Sequence, residues 1–398
     1  MATTNPMTDP TPALEQHAGS LLVVLPELPA DRLRGLLTQL TTSLPAEHLL
    51  IAVPGEPAAE AFPGIRFVAF QAVLPSWTLT ASEFMNAQQL AQRNGARGIL
   101  LLGAEADSLT PMGVHSLLTA VDSGTADLVV PRYDLQPRAG LLNSSILYPL
   151  NRALFANRVR YPLSIDLGMS LRMGDRLSAV AQRFVSANQG NATIWAVSEA
   201  SVAGLTISEA DVGTRQIPQP ADPDLNSILP QVTGSLFSDI EAKAAFWQRA
   251  RVSAPARRLS PAALSSTTDA AAEVASLLQG FRLAYTNLQE IWGIVLPPNT
   301  MLGLKRLSLV DGPAFRMPEN LWARIVFDFL IAYRLRTLNR GHLLGALIPL
   351  YLGWVASHVN AIAAGEIPER HVESHAAAFE AEKPYLLARW RWPDRFNP

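Results

Sequence analysis

The sequence predicts an α/β protein: a doubly wound, mostly parallel sheet flanked by helices, followed by a C-terminal helical extension. Three observations carry this. Short apolar runs alternate with helix-period segments through about Tyr133. Those runs are apolar throughout instead of alternating with polar residues, as strands covered on both faces require. After about residue 272, helix-period segments follow one another with no strand pattern between them.

The elements follow in order. SLLVVLPEL (20–28) and HLLIAVPGEP (48–57) are apolar runs bounded by Pro and Gly, and PADRLRGLLTQLTTSL between them spaces its leucines for a helix. This strand–helix–strand unit favours a parallel sheet. IRFVAF adds a third strand, and TASEFMNAQQLAQRNGA a helix that Thr80 or Ser82 can cap. RGILLLGAE reads as a fully buried strand, TPMGVHSLLTAVDSG as a helix opened by Thr-Pro, and DLVVPRY as a further strand. The chain thus divides into a short disordered arm (1–19), an α/β domain (20–248), a linker or mobile loop rich in Ala, Ser, Pro and Arg (249–272), and a helical region (273–398).

Bulk properties narrow the function. Of 398 residues, 48% are hydrophobic and 17% charged, enough for a large core. A formal charge of −2 gives no reason to expect nucleic acid as partner. With no cysteine, disulfides, thiolate metal sites and a cysteine nucleophile are excluded. The first twenty residues hold no Lys or Arg and no apolar run, so they do not read as a secretory signal, and a cytoplasmic protein is expected. The uncharged stretch 343–364 is long enough to span a bilayer. Pro349, His358, Asn360 and two glycines interrupt it, so it reads as a buried helix pair and not a transmembrane segment.

In open α/β sheets ligands bind beyond the carboxyl ends of the strands. LLGAEADSLTP (101–111) places Glu105 and Asp107 just past such an end, where paired carboxylates suit a divalent ion.

LLGAEADSLTP, followed by DLVVPRYDLQPRAGLLNSSILYPLNRALFANRVRYPLSIDLGMS (127–170), resembles bacterial family-2-like glycosyltransferases of the GT-A fold, near the mannosylglycerate and glucosyl-phosphoglycerate synthases. The matching residues are Asn143 and Ser144; Tyr148, Pro149, Leu150, Arg152, Ala153 and Leu154; then Arg160, Pro162, Asp166, Gly168 and Ser170. Gln231, Gly234, Leu236 and Phe237 fit a later family helix, and the likeness runs from about Gly98 to Trp390. The resemblance implies a Rossmann-like nucleotide-sugar half, a hexose moved from a nucleoside diphosphate sugar to a small polar acceptor, and magnesium or manganese on a D-x-D pair. A cation is needed because the leaving diphosphate gains negative charge.

The chain departs from this pattern at several ligands together. Aligned on SLTP, the D-x-D falls on Gly103, Ala104 and Glu105, with Asp107 two residues beyond. GTRQIPQP places Ile217 where the group has a metal-binding histidine, and Arg215 where it has lysine. The strand ending IAVPGEP lacks the aspartate that holds the base, for which Glu56 can substitute. Candidate roles follow: Glu105 and Asp107 as a remnant metal pair; Asp166 as base or hydroxyl-orienting carboxylate; Asn143 and Ser144 on acceptor, or capping the helix after them; Arg152, Arg160 and Arg215 on phosphate where metal is lacking.

His342 reads as structural, and Trp247, Trp322, Trp354 and Trp390 as core or interface. FDFLIAYRLRTLN carries an apolar stripe suited to an oligomer contact, which brings a homodimer among the expected partners. Two readings stay open: an active hexosyltransferase, and a catalytically impaired homologue that binds sugar nucleotide or a protein partner. A nucleotidyltransferase is a third, but LPELPADRLRG is not the Gly-rich loop with a basic residue that it needs.

Overall fold

The computed structural model describes residues 19–55, 62–70, 77–136, 138–217, 224–250 and 271–393. Seven strands form one sheet: β1 (Leu21–Val24), β2 (Leu49–Pro54), β3 (Arg66–Phe70), β4 (Gly98–Leu102), β5 (Leu128–Tyr133), β6 (Asp166–Ser170) and β7 (Ile207–Gly213). Their order is β3-β2-β1-β4-β6-β5-β7. β6 pairs antiparallel with both β4 and β5, and every other neighbouring pair is parallel. β1 and β4 are buried along their whole length, as their unbroken apolar runs predict.

Helices α1 (Ala30–Ser43), α2 (Ala81–Asn94), α3 (Pro111–Asp122), α5 (Leu171–Ser186) and α6 (Ala196–Ala203) flank the sheet, while α4 (Tyr148–Phe155) packs on the helical tail. The expected caps are present. Thr80 and Glu83 form a capping box on α2, and the Thr110 hydroxyl accepts from Gly113 N at 3.0 Å with Pro111 opening α3. α3 lies so close to the sheet that a Cβ on Gly168 of β6 would stand 2.0 Å from Val121.

Helices α7 (Leu225–Ala242) and α8 (Ala244–Trp247) lead to α9 (Ala271–Asn287), α10 (Gln289–Val295), α11 (Pro298–Ser308), α12 (Glu319–Leu335), α13 (Arg340–Ala363), α14 (Pro368–Ala381) and α15 (Lys383–Arg391). One apolar cluster joins α4 and α7 to this helical tail, holding Trp247, Trp292, Trp322 and Trp354. The indole N–H groups of Trp292 and Trp322 donate to the Ala346 and Ser145 carbonyls at 2.9 and 2.8 Å, so burial leaves them satisfied. The Rossmann-like, mostly parallel sheet with helical extension expected of a GT-A protein is therefore the observed architecture.

Two local expectations are corrected, and one strand is added. The uncharged stretch at 343–364 is part of one helix, α13, and not a helix pair, because Asn339 caps it and Pro349 is absorbed within it. It is the one described helix long and apolar enough to cross a membrane, yet 78% of its apolar window is buried inside this chain. The segment YPLSIDLGMS ends as a strand, β6, because its backbone pairs with β4 from Asp166 to Ser170. The apolar stripe in FDFLIAYRLRTLN faces inward: Phe327 through Tyr333 of α12 are buried in the chain's own core and unavailable to a partner. The arm at 1–18 and most of the linker, 251–270, lie outside the described residues.

Candidate functional site

The carboxyl edge of the sheet gathers the ends of β4, β5 and β7 with the start of antiparallel β6. Register puts Asp166, the first residue of β6, beside Leu102, the last of β4. Tyr133 ends β5, and Arg215 follows β7 by two residues. Sequence positions far apart thus meet in one layer.

Asp166 is fully buried and receives four hydrogen bonds. Gly103 N and Arg215 Nη2 donate to Oδ1 at 3.1 and 3.2 Å; Arg215 Nε and the Tyr133 hydroxyl donate to Oδ2, each at 3.1 Å. Burial first, and then the Asp166 charge, hold the Tyr133 phenol well above its ordinary pKa, so it remains a donor. The Arg215 guanidinium also donates to the Ala104 carbonyl at 2.7 Å, to the Glu105 carbonyl and to Ser108 Oγ at 2.8 Å. Its positive charge therefore lies against the backbone of the Gly103–Ala104–Glu105 segment. At Gly103 a Cβ would stand 2.4 Å from the Ile165 carbonyl oxygen, so no side chain fits there without displacing backbone. Glu105 takes the left-handed conformation, φ 59°, unusual for a non-glycine residue.

The two acids named as a metal pair converge on one guanidinium. Glu105 and Asp107 both approach Arg32 of α1, at 3.6 and 3.4 Å. Among the described residues no group of three or more His, Asp or Glu side chains is placed to hold a metal ion. Glu56 lies outside the described residues.

Beside this layer, beyond β5 and β7, lies a cavity of about 200 Å³ lined by Arg132, Ser144, Arg160, Asp211, His358 and Glu369, among others. Asn143 and Ser144 stand in a π-helical turn, Asn143–Leu147, that runs directly into α4, so neither is its N-cap. Asn143 Nδ2 donates to the Arg160 carbonyl at 2.9 Å, and Ser144 Oγ accepts from Arg160 Nη2 at 3.0 Å. Arg160 Nε donates to Glu369 at 3.0 and 3.2 Å, and Arg132 reaches the same carboxylate at 3.4 Å. Burial works against the Arg160 charge, but Glu369 together with Tyr161 and Tyr148 outweighs it and raises the pKa. Among the described residues, Arg160 Nη1 is buried without a hydrogen-bond partner, as is Asp211 Oδ2. Arg152 pairs with Glu373 and Glu380, each at 2.7 Å.

Each arginine singled out from the sequence thus carries an internal carboxylate: Arg215 has Asp166, and Arg152 and Arg160 have glutamates of α14. Those glutamates, with Arg132, Tyr133, Asp211 and His358, were missed in the sequence. The available signal was PERHVESH in the tail, where Glu369 and Glu373, and His371 and His375, recur four residues apart and so share helix faces. His342 is exposed, and the four named tryptophans are buried.

No protein-family model matches the chain, and no curated protein does. Among solved structures it is similar to glucosyl-3-phosphoglycerate synthase from Mycobacterium tuberculosis in complex with phosphoglyceric acid, at 14% identity and TM-score 0.35, over 56% of this chain and 79% of that one. It is also similar to mannose-1-phosphate geranyltransferase from Thermus thermophilus, at 13% identity and TM-score 0.26, over 50% of this chain and 74% of that one. At these values the likeness bears on neither substrate nor mechanism.

Proposed function

We propose that the chain is a catalytically impaired glycosyltransferase-like protein, which binds a sugar nucleotide at the carboxyl edge of its sheet without a divalent ion. One observation carries the reading: the Arg215 guanidinium lies against the backbone where the resemblance puts the D-x-D. A divalent ion does not fit these residues. Gly103 has no room for a carboxylate, Asp166 already accepts four hydrogen bonds, and Arg215 brings a fixed positive charge. The proposed role therefore includes no metal-assisted departure of a diphosphate.

The adjoining cavity supports binding. Arg132 and Arg160 suit an anionic group, and Asp211, Ser144 and Gln136 suit hydroxyls. Its volume, about 200 Å³, lies below the roughly 300–1,000 Å³ of ordinary small-molecule pockets. A whole donor requires the covering helix, α14, to shift.

Calorimetric titration with UDP-glucose and GDP-mannose, with and without manganese, tests this alongside assays for hexosyl transfer and donor hydrolysis. The expected result is binding that manganese leaves unchanged, and no turnover. Manganese-dependent turnover would establish an active transferase and overturn the impairment; no binding of either donor would overturn the ligand reading.

A further inference from the structure

Helix α14 covers the cavity with Pro368, Glu369 and Val372, and is packed against α13 through three histidines. His358 on α13 and His371 on α14 meet Nδ1 to Nδ1 at 2.9 Å; His371 and His375 meet Nε2 to Nε2 at 3.3 Å. Trp354 Nε1 donates to His375 Nδ1 at 3.3 Å. All three imidazoles are buried, and His358 also lines the cavity.

The hydrogen positions in this chain follow from Trp354, whose indole N–H can only donate. His375 Nδ1 must then be the acceptor, so a neutral His375 carries its proton on Nε2. That proton is donated to His371 Nε2, which fixes the His371 proton on Nδ1. His371 donates in turn to His358 Nδ1. Each of the three links holds one hydrogen. A proton added to any of the three rings would sit on an acceptor nitrogen and place two hydrogens in one link. Reversing the chain does not relieve this, because the reversed chain would end on a Trp354 that cannot accept. The arrangement also cannot clasp one metal ion, since His371 uses opposite ring nitrogens towards its two neighbours.

We infer that this chain is an acid-sensitive latch: protonation breaks the α13–α14 contact and lifts Glu369 from Arg160 and Arg132, opening the cavity. His358 lines the cavity together with the charged side chains of Arg132, Asp134, Arg160, Asp211 and Glu369. Glu366 and Glu319 favour a charged His371 and Arg316 opposes it, while His375 is influenced by His371 and His358. Burial outweighs these carboxylates and holds His371 below the ordinary histidine value; burial and its two neighbours bring His375 down to about 3. Because the closed form resists protons that an open form accepts, closure is complete above about pH 6.5 and weakens below it. For each histidine that must gain a proton, opening grows about tenfold per pH unit.

The latch rests on the histidine chain; only its role as a gate rests on the binding reading above. The test is hydrogen exchange of the full chain at pH 7.5 and 5.5, corrected for intrinsic exchange, with α2 as internal reference. The expected result is a loss of α14 protection of tenfold or more at pH 5.5 with α2 unchanged. Equal protection at both pH values, or simultaneous loss in α2 and α14, would overturn the latch. His371→Gln and His358→Gln, where α2 remains protected, should lose the acid response; the wild-type comparison decides the matter if they do not fold. Acid release without donor binding overturns the ligand reading alone, and donor binding without acid release overturns the latch alone.

Discussion

Arg215 and Asp166 form an ion pair with both side chains fully buried, Nε to Oδ2 at 3.1 Å, at the junction of β4, β6 and the segment after β7. Such a pair contributes little net stability compared with apolar residues, but removing one partner strands a charge. Arg215→Met should destabilise the chain by about 3–5 kcal/mol. Asp166→Leu combined with it should cost less than the two single changes added, with coupling above roughly 1 kcal/mol. Urea denaturation of the four proteins checks this. Additive losses would mean that the pair does not act as a unit.

Restoring the first acid of the resembled motif should fail for a steric reason. Gly103→Asp drives its Cβ toward the Ile165 carbonyl, 2.4 Å away before any relaxation. Backbone must move, at a cost of about 1–3 kcal/mol typical of overpacking. Because Arg215 still carries its charge, manganese affinity should not appear. Calorimetry with manganese and a denaturation midpoint together decide it; micromolar manganese binding by the variant would show that the site accepts an ion.

Glu369 occupies the position at Arg160 and Arg132 that an anionic ligand would take. Glu369→Gln keeps the shape and removes the charge. Pyrophosphate should then bind about tenfold more tightly, a gain of ~1.4 kcal/mol, with affinity falling as salt rises. Unchanged affinity in a low-salt titration would mean that Glu369 is not competing with anions there.

What the sequence discloses here depends on how far apart the interacting residues lie. Caps were legible because Thr80 and Glu83, or Thr110 and Pro111, are neighbours in the chain. β1, β2 and β4 were legible because a strand covered on both faces must be apolar along its length. The resemblance brought Asp166 and Arg215 into view but not each other: they are 49 residues apart, and only the antiparallel entry of β6 brings them together. The glutamates on Arg160 and Arg152 lie still further off, at separations of 209 and 221 residues. β7 was missed because ISEADVG carries two acids, of which Glu209 is buried.

Asp127 precedes β5 and engages its neighbours through a fully bonded carboxylate. Its carboxylate accepts from Arg172 at 2.7 and 3.2 Å, from Ser170 Oγ at 3.0 Å, and from the Thr206 N–H and hydroxyl at 3.0 and 2.9 Å. It thereby ties the start of β5, the N-terminus of α5 and the approach to β7. Burial alone would raise its pKa, but these bonds to the charged form prevail and hold it far below the ordinary carboxylate value. An unfolded chain takes up a proton near pH ~3.9 while the native carboxylate stays ionised. The stabilisation is therefore complete above that value and drains away as pH falls below it. Asp127→Asn should lower stability at pH 6 and flatten its decline between about pH 4 and pH 2, which denaturation midpoints across that range will register. A decline as steep as that of the wild type would mean that other carboxylates govern acid unfolding.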